Sequence, residues 1–277
     1  MKLVVVVVAA VLGLAACPVS PVQGEGEGEE GEEGEGEGEG EAAAVDFGFV
    51  FVVSEPDLGF AQAGAVFRRE LPRAFDCAET EIAGCVVLEC GAVPLAFDAL
   101  SAGAIDVDGA LDPISLAFDN GYPSLSPDAG APLFGGGETL TASAAGDVVP
   151  AFSLQVTAPE VVTIDVPVWP AEQDDLAVTR SAGLHLEWSG ASAGDVVVIF
   201  NTQDQATEVS CAFPAAAGTA DVPAAALQAL PVGAVFLDVE QRGAAFARID
   251  TWDIRLQAAT HALGGDQGPA IASVELD

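Results

Sequence analysis

From Asp46 onward, apolar and polar residues alternate in short runs that Gly, Pro, Asp and Asn repeatedly interrupt. A period of two marks strands with one covered face. Strands are predicted over 46–53, 61–69, 85–90, 104–107, 114–118, 139–144 and 151–158, and then over 161–166, 176–179, 184–188, 195–201, 208–213, 234–241 and 245–256. Many short strands divided by turn residues read as β-sandwiches. The helical pattern is confined to Pro223–Leu230, PAAALQAL, where Pro suits a first turn. The fold class is therefore all-β. Two Pro and a group of acids break the pattern in VPVWPAEQDD, between Val166 and Asp175, which predicts one sandwich over 46–166 and a second over 167–277.

The first 45 residues follow neither period. Met1-Lys2 precedes LVVVVVAAVLGL, an apolar run of 12 residues. A charged start, a short apolar stretch and small residues behind it predict an export signal over 1–16, too short to remain across a bilayer as a helix. Residues 24–41 consist of 10 Glu and 8 Gly. With nothing to bury and Glu repelling Glu, 17–45 is expected to be an extended, solvated linker.

Charge sharpens this division. The 277 residues carry 43 Asp and Glu against 8 Lys and Arg, a net of −35. From Ala42 onward there remain 33 acids and 7 Arg, a net of −26, so the head is acidic in its own right. Clustered cations for a phosphate backbone are absent, which excludes nucleic acid as a partner. A like-charged surface favours solubility instead. Hydrophobic residues still make up 51% of the chain, enough for a real core.

Leu14-Ala15-Ala16-Cys17 resembles the lipobox of bacterial lipoproteins. The resemblance implies cleavage before Cys17, a diacylglyceryl thioether on its sulfur and an acylated amine, palmitate-type chains that together anchor the protein stably in the lipid bilayer. Pro18 stands where Asp would favour inner-membrane retention in a Gram-negative cell, which points to the outer membrane, with surface display left open. In the second half, LAVTRSAGLHLEWSG resembles immunoglobulin and fibronectin type III modules in its patterning, with Leu184, Leu186 and Trp188 on one face and His185 on the other. No binding residue is carried over from that resemblance.

Four cysteines remain besides Cys17, an even number in an exported chain, so disulfides are expected. In the strand CVVLEC, Cys85 and Cys90 lie on opposite faces, roughly 16 Å apart, and do not bond each other. Cys77 pairs with Cys85 or with Cys90, closing AETEIAG as a polar loop; a hairpin returning from Phe67 favours Cys85 and leaves Cys211 a buried free thiol. Their spacing does not suit zinc.

Motifs for chemistry are few. Gly190-Ala191-Ser192-Ala193-Gly194 has the letters of a hydrolase nucleophile elbow, but DVVVIF after it reads as a strand where an elbow needs a helix. The G-x-G-x-x-G match at Gly26–Gly31 lies among repelling Glu residues and suits no pyrophosphate. In Asp106-Val107-Asp108-Gly109-Ala110-Leu111-Asp112, alternate carboxylates before a Gly resemble the start of a calcium loop, making Asp106, Asp108 and Asp112 the metal candidates. No other cofactor is expected. The leading expectation is a non-enzymatic lipoprotein head with a structural, adhesive or ligand-binding role, whose partner is an extracellular protein or glycan. The alternative is a calcium-supported carbohydrate-active or other hydrolytic enzyme using paired carboxylates. One Tyr and three Trp, with Trp169 and Trp252 expected in cores, leave little for a sugar-stacking platform.

Overall fold

DFGFVFVVSE is apolar at nearly every position, and it forms β1 (Asp46–Glu55), a strand buried on both faces. The computed structural model describes residues 46–55, 58, 60–69, 77–90, 99–126, 131–169, 176–190, 192–265 and 268–277. The expected export signal, Cys17 and the linker lie outside the described residues. Val45–Asp277 forms one unit, and the regular secondary structure of its described residues is nearly all strand.

Three sheets organise it. The largest runs in the order β2 (Phe60–Arg68), β1, β16 (Trp252–His261), β15 (Gly233–Ile249), β12 (Asp195–Thr202), β13 (Thr207–Pro214), β4 (Cys85–Cys90), β3 (Cys77–Ile82). On one flank of β15 the partner changes along its length: β16 pairs with Glu240–Ile249, whereas β17 (Ile271–Leu276), itself paired to β10 (Leu176–Val178), takes Gly233–Asp238. A second sheet holds β14 (Thr219–Val222), β11 (Leu184–Ser189) and β9 (Thr163–Val166), and a third holds β6 (Ile114–Leu116), β5 (Ile105–Asp108), β7 (Thr139–Ala144) and β8 (Phe152–Thr157).

Each small sheet closes a core against the large one. Leu184, Leu186 and Trp188 pack with Val196, Val198, Phe200, Leu237 and Val239. Ile105, Leu140 and Leu154 pack with Val50, Val52, Phe67, Ile254 and Leu256. Both cores use the odd-numbered residues of β15, so they sit side by side on one face of a 17-residue strand. Strands from both sides of the expected boundary at 166/167 share the large sheet, because β1 pairs in parallel with β16 from Asp46↔Trp252 to Val53↔Ala259. In that sheet Gly48 lies opposite Phe67, and a Cβ at Gly48 would sit 2.6 Å from the Phe67 ring. The missing side chain is what lets the ring lie over the strand.

Three local readings are corrected. First, AETEIAG is not a loop: Cys77–Ile82 is β3, and Ala83-Gly84, both at positive φ, turn it into β4. That register sets Cys77 against Cys90, and these two form the disulfide in place of Cys77 with Cys85. Cys85 bonds Cys211, its direct neighbour on β13, so Cys211 is not a free thiol. Second, the expected strand over 245–256 is a hairpin, with Asp250 at positive φ between β15 and β16. Third, the helical segment contracts to α1 (Ala224–Leu227), with Pro223 immediately before it.

Candidate functional site

The even-numbered positions of β15 turn away from both cores, and four of them carry charge: Asp238, Glu240, Arg242 and, further along, exposed Arg248. The alternation in LDVEQR resembles a solvent-facing edge. Yet Glu240 and Arg242 are buried, as are Gln257 and His261 on β16 and Glu55 at the end of β1. The register explains their convergence. His261 sits directly opposite Glu240, and Arg242 opposite Ala259. Because Val53 pairs with Ala259, the same parallel register carried two residues further brings Glu55 alongside His261.

The contacts are short. His261 Nδ1 lies 2.7 Å from Glu55 Oε1, and its Nε2 lies 2.9 Å from Asp238 Oδ2. Arg242 donates from Nε to Glu240 Oε2 at 2.6 Å. One oxygen each of Asp238 and Glu240 and a ring nitrogen of His261 all lie within 4.8 Å of one another, the one such metal-capable group among the described residues. Several buried atoms keep unused bonding capacity: Glu55 Oε2, Asp238 Oδ1, Gln241 Oε1, Gln257 Oε1 and Arg242 Nη2 have no hydrogen-bond partner.

Burial and mutual charge compete at each group. Burial disfavours the charged form of His261, but Asp238, Glu55 and Glu240 outweigh it and hold the imidazole well above its usual pKa. Burial raises Glu55 and Asp238 despite the attraction of His261. Burial also pushes against Glu240, but Arg242 and His261 prevail and lower it. On β13, partly buried Glu208 is raised to about 7, by burial first and then by Glu240 and Asp238, against the pull of Arg242.

Beside this polar group the same sheet face is aromatic. Phe49 stacks between Phe47 and Phe51 at 6.4 and 5.8 Å. Arg255 lies 5.9 Å from the Phe49 ring and 5.0 Å from that of Phe246, and Arg68 lies 5.6 Å from Phe47. Cation–π pairing of this kind keeps a guanidinium on an apolar strand face.

The residues singled out from sequence lie elsewhere. Asp106 and Asp108 occupy exposed positions of β5, and Asp112 is exposed in the bend after it. Gly109, at φ 87°, has a local reason: a Cβ there would lie 2.0 Å from Thr139 O, where the turn crosses β7. The glycine is thus required by the close approach of the backbone. Ser192 donates to Glu160 Oε2 at 3.3 Å on an exposed loop, and strand β12 follows it, so the helix of an elbow is missing. His185 points outward as expected, 2.7 Å from Asp221 and 3.3 Å from Glu187, and those hydrogen bonds raise its pKa. Trp169, Trp188 and Trp252 are all buried.

No family model matches the chain, and no curated protein matches it in sequence. Solved structures similar to the chain include two adhesins. One is described as a Ca2+-stabilized adhesin that helps an Antarctic bacterium reach out and bind ice, at 12% identity and a TM-score of 0.20, over 85% of this chain and 50% of that one. The other is described as a 1.5-MDa bacterial ice-binding adhesin studied for host cell surface retention, at 12% identity and a TM-score of 0.17, over 79% of this chain and 66% of that one. The chain spans half of the first and under two thirds of the second. At these TM-scores the likenesses enter no functional argument below.

Proposed function

We propose that this chain is a lipid-anchored protein of the bacterial cell envelope, held at the outer membrane through Cys17, whose acidic β head acts by binding or holding a partner and not by turning over a substrate. One observation carries the reading: the order of the parts. A lipobox-like Leu14-Ala15-Ala16-Cys17 is followed by 24–41, with no apolar residue, and then by a β unit whose first strand starts at Asp46. An anchor, a self-repelling spacer and a folded head form a device for holding the head clear of lipid. The non-catalytic part is supported by the wiring of the buried ionisable groups. His261 is taken up by Glu55 and Asp238, Arg242 by Glu240, and Ser192 sits on an exposed loop that runs into strand β12, with no elbow helix.

The test is metabolic labelling with a clickable fatty acid, followed by fractionation. The wild-type chain takes label and enters the outer-membrane fraction, and Cys17→Ala loses both. Label retained in Cys17→Ala, or an unlabelled wild type, refutes the anchor. Binding of the purified head to arrayed glycans and envelope proteins, without turnover on ester or glycoside substrates, supports the second half of the proposal, and turnover abolished by a head substitution refutes it.

A further inference from the structure

We propose that Asp238, Glu240 and His261 bind one divalent ion of the zinc class, and that Glu55 is the positioning residue for the imidazole. This goes beyond the envelope role and does not rest on it. Strand geometry supplies the ligands. Asp238 and Glu240 stand two residues apart on one face of β15, and His261 faces Glu240 across the ladder. Their donor atoms already fall within 4.8 Å of one another, the span of a single coordination sphere.

The histidine is held as metal-bound histidines are held. A ligating imidazole usually gives its second nitrogen to a carboxylate, which fixes the tautomer and the ring plane. Here Nδ1 meets Glu55 Oε1 at 2.7 Å, leaving Nε2 turned toward Asp238. One oxygen of Asp238 lies within 4.8 Å of one oxygen of Glu240, a spacing at which two carboxylates repel unless a proton or a cation lies between them. Independent of that pair, Glu55 is 4% exposed with Oε2 unpartnered; within it, Asp238 Oδ1 is buried and unpartnered as well. Buried anionic oxygens without partners are costly and mark a missing positive group.

Charge counting gives the same answer. Three carboxylates face one permanent cation, Arg242, which leaves two negative charges when the imidazole is neutral. A divalent ion cancels them. An imidazolium cancels only one. The donor set decides the class, because one imidazole nitrogen with two carboxylates suits zinc, whereas calcium takes six to eight oxygens. The Asp238 side chain, 16% exposed, is the member of the group that meets solvent and offers a route of entry.

The experiment uses the head from Val45 to Asp277, stripped with a chelator, then titrated with zinc chloride by calorimetry and scanned for melting. One zinc per chain is expected, with a melting rise of about 5 to 10 °C at a hundredfold excess over Kd. Asp238→Asn, which keeps the shape of the carboxyl, and His261→Gln lose the rise. His185→Ala keeps it, since the exposed trio of His185, Asp221 and Glu187 is the competing surface site. If His261→Gln does not fold, Asp238→Asn decides alone. The proposal is overturned by no zinc-dependent rise in the wild type, by a rise retained in Asp238→Asn, by its loss in His185→Ala, or by an equal rise with calcium.

Discussion

Glu208→Gln tests how deeply the charged face of the large sheet is desolvated. Glu208 lies on β13, opposite Leu88 on one side and Asn201 on the other, and its carboxyl is raised from 4.5 to about 7. Ionising it in the folded state is therefore disfavoured by about 3 kcal/mol relative to the unfolded chain, at 1.36 kcal/mol per pH unit. The sign follows from proton uptake. Between pH 4.5 and 7 the folded protein binds a proton that the unfolded chain has released, so stability falls as pH rises through that window. Below it the penalty is absent, and above it the penalty is complete. Glutamine mimics the protonated acid and never ionises. Urea unfolding of the metal-free head, followed by tryptophan fluorescence from pH 4 to pH 8.5, should show equal stabilities at the acid end. At the alkaline end the variant should be more stable by about 3 kcal/mol, with the difference opening between 4.5 and 7. A constant difference across pH, or a variant weaker than the wild type at pH 8.5, would refute the burial reasoning for this face.

Three further outcomes follow from the packing. The Cys85–Cys211 bond closes 126 residues and Cys77–Cys90 closes 13, so removing them as paired Ala substitutions should cost about 5 and about 3 kcal/mol in the chain-entropy model. Calorimetric melting of both double variants checks the order, and equal losses would contradict it. Gly48→Ala forces a Cβ against the Phe67 ring, with a loss of about 1 to 3 kcal/mol in urea unfolding; no loss would mean that the ring moves freely. Trp188→Phe removes the 2.8 Å hydrogen bond from Nε1 to Ala215 O and leaves that carbonyl only the 3.3 Å bond from Gly218 N–H, lowering stability by about 0.5 to 1.5 kcal/mol. A neutral result there would show that the Gly218 bond alone satisfies the carbonyl.

Strands of one-sided alternation were legible in the sequence, and the second face of the large sheet was not. LHLEW placed Leu184, Leu186 and Trp188 inward because their neighbours were polar, and the structure has them so. Applied to LDVEQR, the same rule would turn the charged residues to solvent, yet Glu240 and Arg242 are buried. A clue stood in β1: Phe47, Phe49 and Phe51 on one face and Val50 and Val52 on the other make a strand without a wet side. A strand covered on both faces implies that its neighbours are covered there too, which converts the charges of β15 and β16 from surface groups into a site. The disulfide pairing depended on a register that period alone does not give. Two residues of positive φ, Ala83 and Gly84, fix it, and Ala is not the residue that announces such a turn. Asp250 hid the β15–β16 turn in the same way.

If the chain is anchored through Cys17 as proposed, the position of β1 bears on how its head withstands traction. Asp46 follows the linker directly, and it opens a strand hydrogen-bonded on both sides, antiparallel to β2 and parallel to β16. A pull arriving along the linker does not meet an edge strand that can be unzipped one bond at a time. It loads two ladders together, in shear, and through β16 passes to β15, the strand that belongs to both cores. Under the proposed anchoring, the order of strands would thus make the N-terminal side of the head, and not a free margin of the sheet, the place where mechanical load is shared.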